Sequence, residues 1–323
     1  MEQKIVAIVN PASNGGRTGK NWAELHLALD QALNRRTRTP GGPVEARFTA
    51  DRGQAIDLTR EALRNGATQI IAVGGDGTTN EVVNGFFAED GTDTVINPHA
   101  CLSLLMAGTG GDFRRTFSLE TQQDFIDGIA NGTPRPLDIG RCDFVAHDGI
   151  PTHRYFDNIL SFGMSGDVCM RVDDATWQKR LGGTFTYNWA IGRAFLAWRN
   201  RPVQLVVDGK DEGIFAINTL AICNGRYFGS GLLPAPHADP FDGLLDITCI
   251  ADTNLIDVAT SAGAMRNGTV LDHKRVTFRR GRNVEIIPQG DSPLPLPFEI
   301  DGETPGLAPA TVRLLPGAIT LKI

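Results

Sequence analysis

The stretch Ile70-Ile71-Ala72-Val73-Gly74-Gly75-Asp76-Gly77-Thr78-Thr79-Asn80-Glu81-Val82-Val83-Asn84-Gly85 decides the reading of this chain. A β-branched apolar run enters a glycine turn. The turn empties into a helical pattern with Val82, Val83, Phe86 and Phe87 on its inner face. Glycines at 74, 75 and 77 allow a sharp turn and a close backbone approach to a ligand. The helix N-terminus behind them favours an anion. Asp76 would repel bare phosphate, so a carboxylate here points to a metal ion, most simply Mg²⁺, shared with a nucleotide. An ordinary tight βα turn is the plain alternative, but this loop is longer than such a turn needs.

Two more loops of the same kind flank it. Residues 4–9 read as a buried strand that runs into Asn10-Pro11-Ala12-Ser13-Asn14-Gly15-Gly16-Arg17-Thr18-Gly19-Lys20 and then a helix. This is not a Walker A loop, because the glycine spacing is one short and Asn21 replaces the Mg²⁺-binding hydroxyl. Arg17 and Lys20 can neutralise phosphate. Residues 44–48 fit a second strand, ending before Thr49, and residues 54–65 a helix. Residues 102–105 fit a further strand, followed by Gly108-Thr109-Gly110-Gly111-Asp112-Phe113-Arg114-Arg115. Strands alternating with helices over residues 1–135 predict an α/β domain with a largely parallel sheet. Its loops then share the rim at the strands' carboxyl ends, where such sheets bind ligands.

The pattern changes at Pro134-Arg135-Pro136-Leu137-Asp138-Ile139-Gly140. Residues 136–323 read as a β-rich sandwich domain. Strands are expected at 154–162, 216–223, 244–251, 275–280 and 283–287, and a hairpin turns at Asp208-Gly209. Strands at 311–316 and 318–323 join either domain. One helical, aromatic segment, 185–199, reads as a packed helix or as a lid or membrane-facing element over an acyl-chain cleft. A basic cluster, His273-Lys274-Arg275 and Arg279-Arg280-Gly281-Arg282, is either a lipid-attracting patch or a solvated strand face.

The run Gly74-Gly75-Asp76-Gly77-Thr78 resembles the nucleotide loop of the diacylglycerol kinase and sphingosine kinase family. NAD kinases and phosphofructokinases have a similar loop, but the continuation Asn80-Glu81-Val82-Val83-Asn84-Gly85 is closer to the lipid kinases. Further segments are similar in the same order: the loop after strand one, a GTxxDF-type run at 108–113, PRPLDIG at 134–140, Asp242-Gly243-Leu244-Leu245, and Asp301-Gly302-Glu303. Gly111 departs from the asparagine usual there.

The resemblance implies an NAD-kinase-like α/β domain followed by the sandwich, and transfer of the γ-phosphate of Mg-ATP to a lipid hydroxyl. Diacylglycerol heads the acceptors, with ceramide, a sphingoid base and phosphatidylglycerol behind it. Asn10, Pro11, Ser13, Gly15, Arg17, Thr49, Gly74, Gly75, Asp76, Gly77, Thr78, Asn80 and Thr109 would contact ATP. Asp239 and Leu244, through backbone oxygens, and Asp242, through its side chain, would hold a structural Mg²⁺. Glu303 would accept the hydroxyl's proton with Asp301 as its partner, and Asp76 is the rival base. An NAD-kinase-like enzyme acting on a soluble hydroxyl is the second reading.

Composition limits the partners. The net charge of −6 argues against general nucleic-acid binding. Five widely spaced cysteines with no CxxC pair read as reduced, buried thiols. The acidic, short N-terminal run is no signal peptide, and no apolar run reaches the ~18–20 residues of a membrane span. The expected setting is therefore cytoplasmic and peripheral, at a membrane surface, with a homodimer as one option.

Overall fold

The computed structural model describes residues 4–36, 44–106, 111–167, 199–290 and 296–323. The chain divides into two compact units. The first comprises Met1–Ile139, Pro240–Asp242 and Leu315–Ile323; the second comprises Gly140–Asp239 and Gly243–Leu314.

In the first unit, strands β1 (Ile5–Val9), β2 (Glu45–Phe48), β3 (Gln69–Gly74) and β4 (Cys101–Met106) alternate with helices α1 (Arg17–Arg36), α2 (Gln54–Arg64), α3 (Asp76–Gly85) and α4 (Gln122–Asn131). The strands are parallel in the order β2-β1-β3-β4. All of Ile5–Val9 and Gln69–Gly74 is buried, as strands covered on both faces must be. The chain leaves β1 toward β2, then returns past β1 to β3. Right-handed crossovers therefore put α1 and α2 on opposite faces, and α2 packs with α3 while α1 packs with α4. Capping is partly by side chains from elsewhere. Helix α2 starts at Gly53, whose φ is 84°. Its open N–H groups at Gly53 and Ala55 donate to the two oxygens of Glu81 on α3, at 2.8 and 3.2 Å.

The last residues of the chain belong to this unit. Thr320 and Leu321 pair in parallel with Cys101 and Leu102. Lys322 is buried, and its ammonium donates to the carbonyls of Ile129 and Ala130 at the end of α4. Buried Asp138 ties three distant segments: its N–H donates to Pro240 O (2.9 Å) and its Oδ1 accepts from Gly317 N (2.7 Å).

The second unit is antiparallel, as the sandwich reading requires. Strands β5 (Pro134–Ala146) and β6 (Pro151–Phe156) form a hairpin. β7 (Ile159–Gly163), β8 (Arg201–Val207), β9 (Lys210–Cys223), β10 (Leu245–Ala251), β11 (Val276–Gly281), β12 (Asn283–Pro288), β13 (Phe298–Ile300) and β14 (Gly306–Lys322), whose residues from Leu315 on belong to the first unit, follow. The first half of β9 pairs with β8, while its last residues pair with β7 and β10. A strand that changes partners along its length turns a corner between sheets. The core between them holds Phe144, Phe156, Phe162, Leu205, Ile222, Ile247, Ile286, Phe298 and Val312.

Two expectations change here. The strand expected over 154–162 is broken at Asp157-Asn158 into β6 and β7. Helix α5 (Leu255–Asn267) was not foreseen. It announces itself by an Asn254/Asp257 capping box, in which each side chain takes the other's N–H. The Asp208-Gly209 hairpin forms as expected, with positive φ at both residues (48° and 78°). Cys142, Cys223 and Cys249 are buried and free. Burial pushes the Cys142 and Cys223 thiols well up and the Cys249 thiol up to about 12. The segment 185–198 lies outside the described residues.

Replacing Asp138 by Ala removes the acceptor of the Gly317 N–H. A buried donor left without its partner costs about 1–3 kcal/mol. Urea unfolding should show that loss, with the midpoint shifted down and the slope unchanged; an unchanged midpoint would remove Asp138 from the frame of this unit.

Candidate active site

Register places the first unit's loops. Val9 lies beside Val73 and, on its other side, beside Phe48. The three strands therefore end level, and their loops leave from one rim. The chain departs in opposite directions from β1 and β3, so the gap between them is the switch point of the sheet, where ligands bind. Asn10 and Thr78 bridge that gap, Asn10 Nδ2 donating to Thr78 Oγ1 at 3.0 Å. Gly74 is required beneath them: a Cβ there would stand 2.4 Å from Thr78 Oγ1.

The loop after β1 is closed by its own side chains. Asn10 Oδ1 accepts from Ala12 N (3.1 Å), Ser13 Oγ donates to Asn10 O (2.9 Å), and Thr18 Oγ1 meets Ser13 Oγ at 2.5 Å. Gly15 holds φ 64°. Half-buried Pro11 packs where a side chain on Gly19 would stand, 2.9 Å from its Cβ. Arg17 and Lys20 are exposed at the start of α1. Thr49 follows β2, with its N–H donating to Val9 O at 2.9 Å.

Asp76 has a second task that the sequence did not reveal. Its Oδ2 accepts from Asp112 N (2.8 Å) and its Oδ1 from Phe113 N (3.4 Å). The carboxylate thus joins the β3–α3 loop to the segment after β4. Gly111 just before it has φ 106°, and a Cβ would fall 2.6 Å from Met106 Sδ. That conformation explains why glycine stands where the related pattern carries asparagine. Asp112 is buried and pairs with Arg115 at 3.4 Å. Thr109 lies outside the described residues. Gly75, Asp76 and Gly77 are half-buried at the rim, whereas Asn80 is fully buried, its amide oxygen accepting from Asn84 Nδ2.

In the second unit the sequence Glu299-Ile300-Asp301-Gly302-Glu303 forms a two-residue turn. Ile300 and Glu303 exchange both backbone hydrogen bonds (2.8 and 2.9 Å), with φ of 47° at Asp301 and 89° at Gly302. The backbone is that of a type I′ turn, but its acids are not solvated. Asp301 Oδ1 and Oδ2 accept from Ile159 N (2.8 Å) and Asp157 N (3.3 Å). Glu299, unnoticed in the sequence, accepts from Gly302 N (2.7 Å) and Ser161 Oγ (2.6 Å). Glu303 Oε2 meets Arg154 Nη2 at 2.7 Å. Asp301 and Glu303 therefore serve different partners.

The basic cluster is partly paired within its own unit. Lys274 and Arg275 pair with Asp257, Arg279 with Glu212, and Arg280 with Asp246. No three of His, Cys, Asp and Glu are grouped to hold a metal among the described residues. Asp239 and Leu244 are half-buried and Asp242 is exposed.

The first unit is thus a parallel α/β unit with its polar loops on one switch-point rim, and the second a β-sandwich bearing a braced acidic turn. The diacylglycerol kinase catalytic domain matches residues 4–142, and the YegS C-terminal NAD kinase beta sandwich-like domain matches residues 158–323. The chain belongs to the family of diacylglycerol kinases and YegS-like lipid kinases, and it is a lipid kinase at that level. It is 27% identical to the diacylglycerol kinase of Mycobacterium tuberculosis (strain CDC 1551 / Oshkosh) over 321 residues, 97% of this chain and 94% of that one. It is 31% identical over 271 residues to a Xanthomonas oryzae pv. oryzae (strain MAFF 311018) protein named "Probable lipid kinase YegS-like", 82% of each chain. A solved diacylglycerol kinase structure from Bacillus anthracis str. Sterne shares the fold, with a TM-score of 0.68 at 18% identity and 99% and 96% coverage.

Asp76→Ala should loosen the segment after β4 even without nucleotide. Trypsin should then cut after Arg115 about tenfold faster, the equivalent of about 1.4 kcal/mol of lost local order. Asp76→Asn, which keeps one acceptor oxygen, should fall between. Equal cutting rates in all three proteins would show that Asp76 does not hold that segment.

Proposed function

We propose that the protein transfers the γ-phosphate of Mg-ATP to the hydroxyl of diacylglycerol, at a membrane surface with which it associates peripherally. The observation that carries the nucleotide half is the rim in the first unit: Asn10 and Thr78 across the switch point, with Asp76 beside them. Backbone N–H groups at the start of α3 would face the phosphates, and Arg17 and Lys20 would add positive charge.

The donor set fits Mg²⁺. This ion is usually held by one or two carboxylates plus substrate phosphates, not by an all-protein cage. Asp76 is such a carboxylate, half-buried at the rim beside Asn10 and Thr78. Bound there, Mg²⁺ would neutralise phosphate charge. Asp239, Asp242 and Leu244 would hold a second, structural ion through one side chain and two carbonyls.

The chain's own part in transfer is positioning and one proton. Glu303, set by Arg154, would accept the proton of the attacking hydroxyl; general base help of this kind is worth roughly 10²–10⁴-fold. Asp301 would brace the turn. The acceptor lipid rests on the relatives, which include proteins named diacylglycerol kinase.

Labelled γ-phosphate from ATP, supplied with Mg²⁺ to mixed micelles of diacylglycerol, ceramide, sphingosine and phosphatidylglycerol, tests this directly. Diacylglycerol should carry the label, and Glu303→Gln should lower the rate by about 10²-fold or more. Label on NAD or another soluble hydroxyl compound, with none on lipid, would overturn the assignment.

A further inference from the structure

The β5–β6 hairpin presents an arginine where an apolar residue would be expected. Arg154 pairs in register with Cys142, and its neighbours on the same face follow from the pairs Gly140 with Phe156 and Phe144 with Thr152. Directly opposed residues share one face of a ribbon. Cys142, Phe144 and Phe156 all belong to the core cluster of the second unit. Arg154 therefore rises from the core face of the ribbon. A guanidinium in that position costs free energy unless it is paired. Its pair is Glu303, at 2.7 Å, with 19% and 14% of the two side chains exposed.

Stability alone is a poor reason for such a pair. Replacing a buried ion pair by apolar residues is often neutral or stabilising. The surroundings show what the pair fixes instead. Asp301 and Glu299 already hold the turn's backbone, through Ile159, Asp157 and Gly302. The next residue is held by the same hairpin, where His147 Nε2 meets Thr304 O at 3.0 Å. The turn has these anchors besides Arg154, and the Arg154 contact bears directly on the orientation of one carboxylate. We infer that Arg154 is a positioning residue: from the core face of β6 it sets the Glu303 carboxylate for proton transfer. The inference rests on the reading of Glu303 as the proton acceptor.

A double-mutant cycle separates the two ideas. The variants are Arg154→Met, Arg154→Lys, Glu303→Gln and the combination of Arg154→Met with Glu303→Gln, assayed with ATP and diacylglycerol micelles. Arg154→Met should lower kcat at least tenfold, leave the KM for ATP within threefold and keep the fold. Arg154→Lys should recover part of that kcat, because it restores the charge without the planar fork. In the Glu303→Gln background Arg154→Met should cost nothing further. If Arg154→Met does not fold, Arg154→Gln takes its place, with the same outcomes expected. A wild-type kcat in Arg154→Met, a lysine no better than methionine, or fully multiplicative losses in the double variant would overturn the positioning role while leaving Glu303 intact. A wild-type rate in Glu303→Gln would overturn the reading of Glu303 itself, and this inference with it.

Discussion

The level ending of β1, β2 and β3 is the constraint on which the first unit's chemistry depends. Val9 lies between Phe48 and Val73. With the ends level, Asn10 can reach Thr78, and Gly74 gives the room for it. Asp76 then reaches sideways to the backbone of Asp112 and Phe113. One carboxylate thus serves the fold and stands at the rim. Glu81 does similar work one turn later in α3, capping α2.

In the second unit the comparable constraint is the Asp301-Gly302 turn. Three acids cluster there and would repel each other if left alone. Each is given its own donor: backbone N–H groups for Asp301, a hydroxyl and Gly302 N for Glu299, a guanidinium for Glu303. The first two anchor backbone. The third is met by another side chain.

Much of this was legible in the sequence, because the relevant signals are local. The β3–α3 stretch announces strand, turn and helix through apolar run, glycines and periodicity. The Asp208-Gly209 turn is equally local. What was not legible depends on long-range partners. Asp76 reads as a metal ligand in sequence, and nothing local says that it also accepts from residues 112 and 113. Arg154 and Glu303 are 149 residues apart, and only the sandwich brings them together. At the break at Asp157-Asn158 the Asp157 N–H donates to Asp301, again far along the chain. Helix α5 was a missed local signal, since its Asn254-x-x-Asp257 capping box stands in the sequence.

The most direct measurement is hydrogen exchange of the whole chain with and without Mg-ATP. Slowed exchange is expected in residues 10–19, 74–80 and 111–115, because one bound nucleotide covers loops that share one rim. Protection that leaves residues 74–80 unchanged, or that falls only within the second unit, would contradict it.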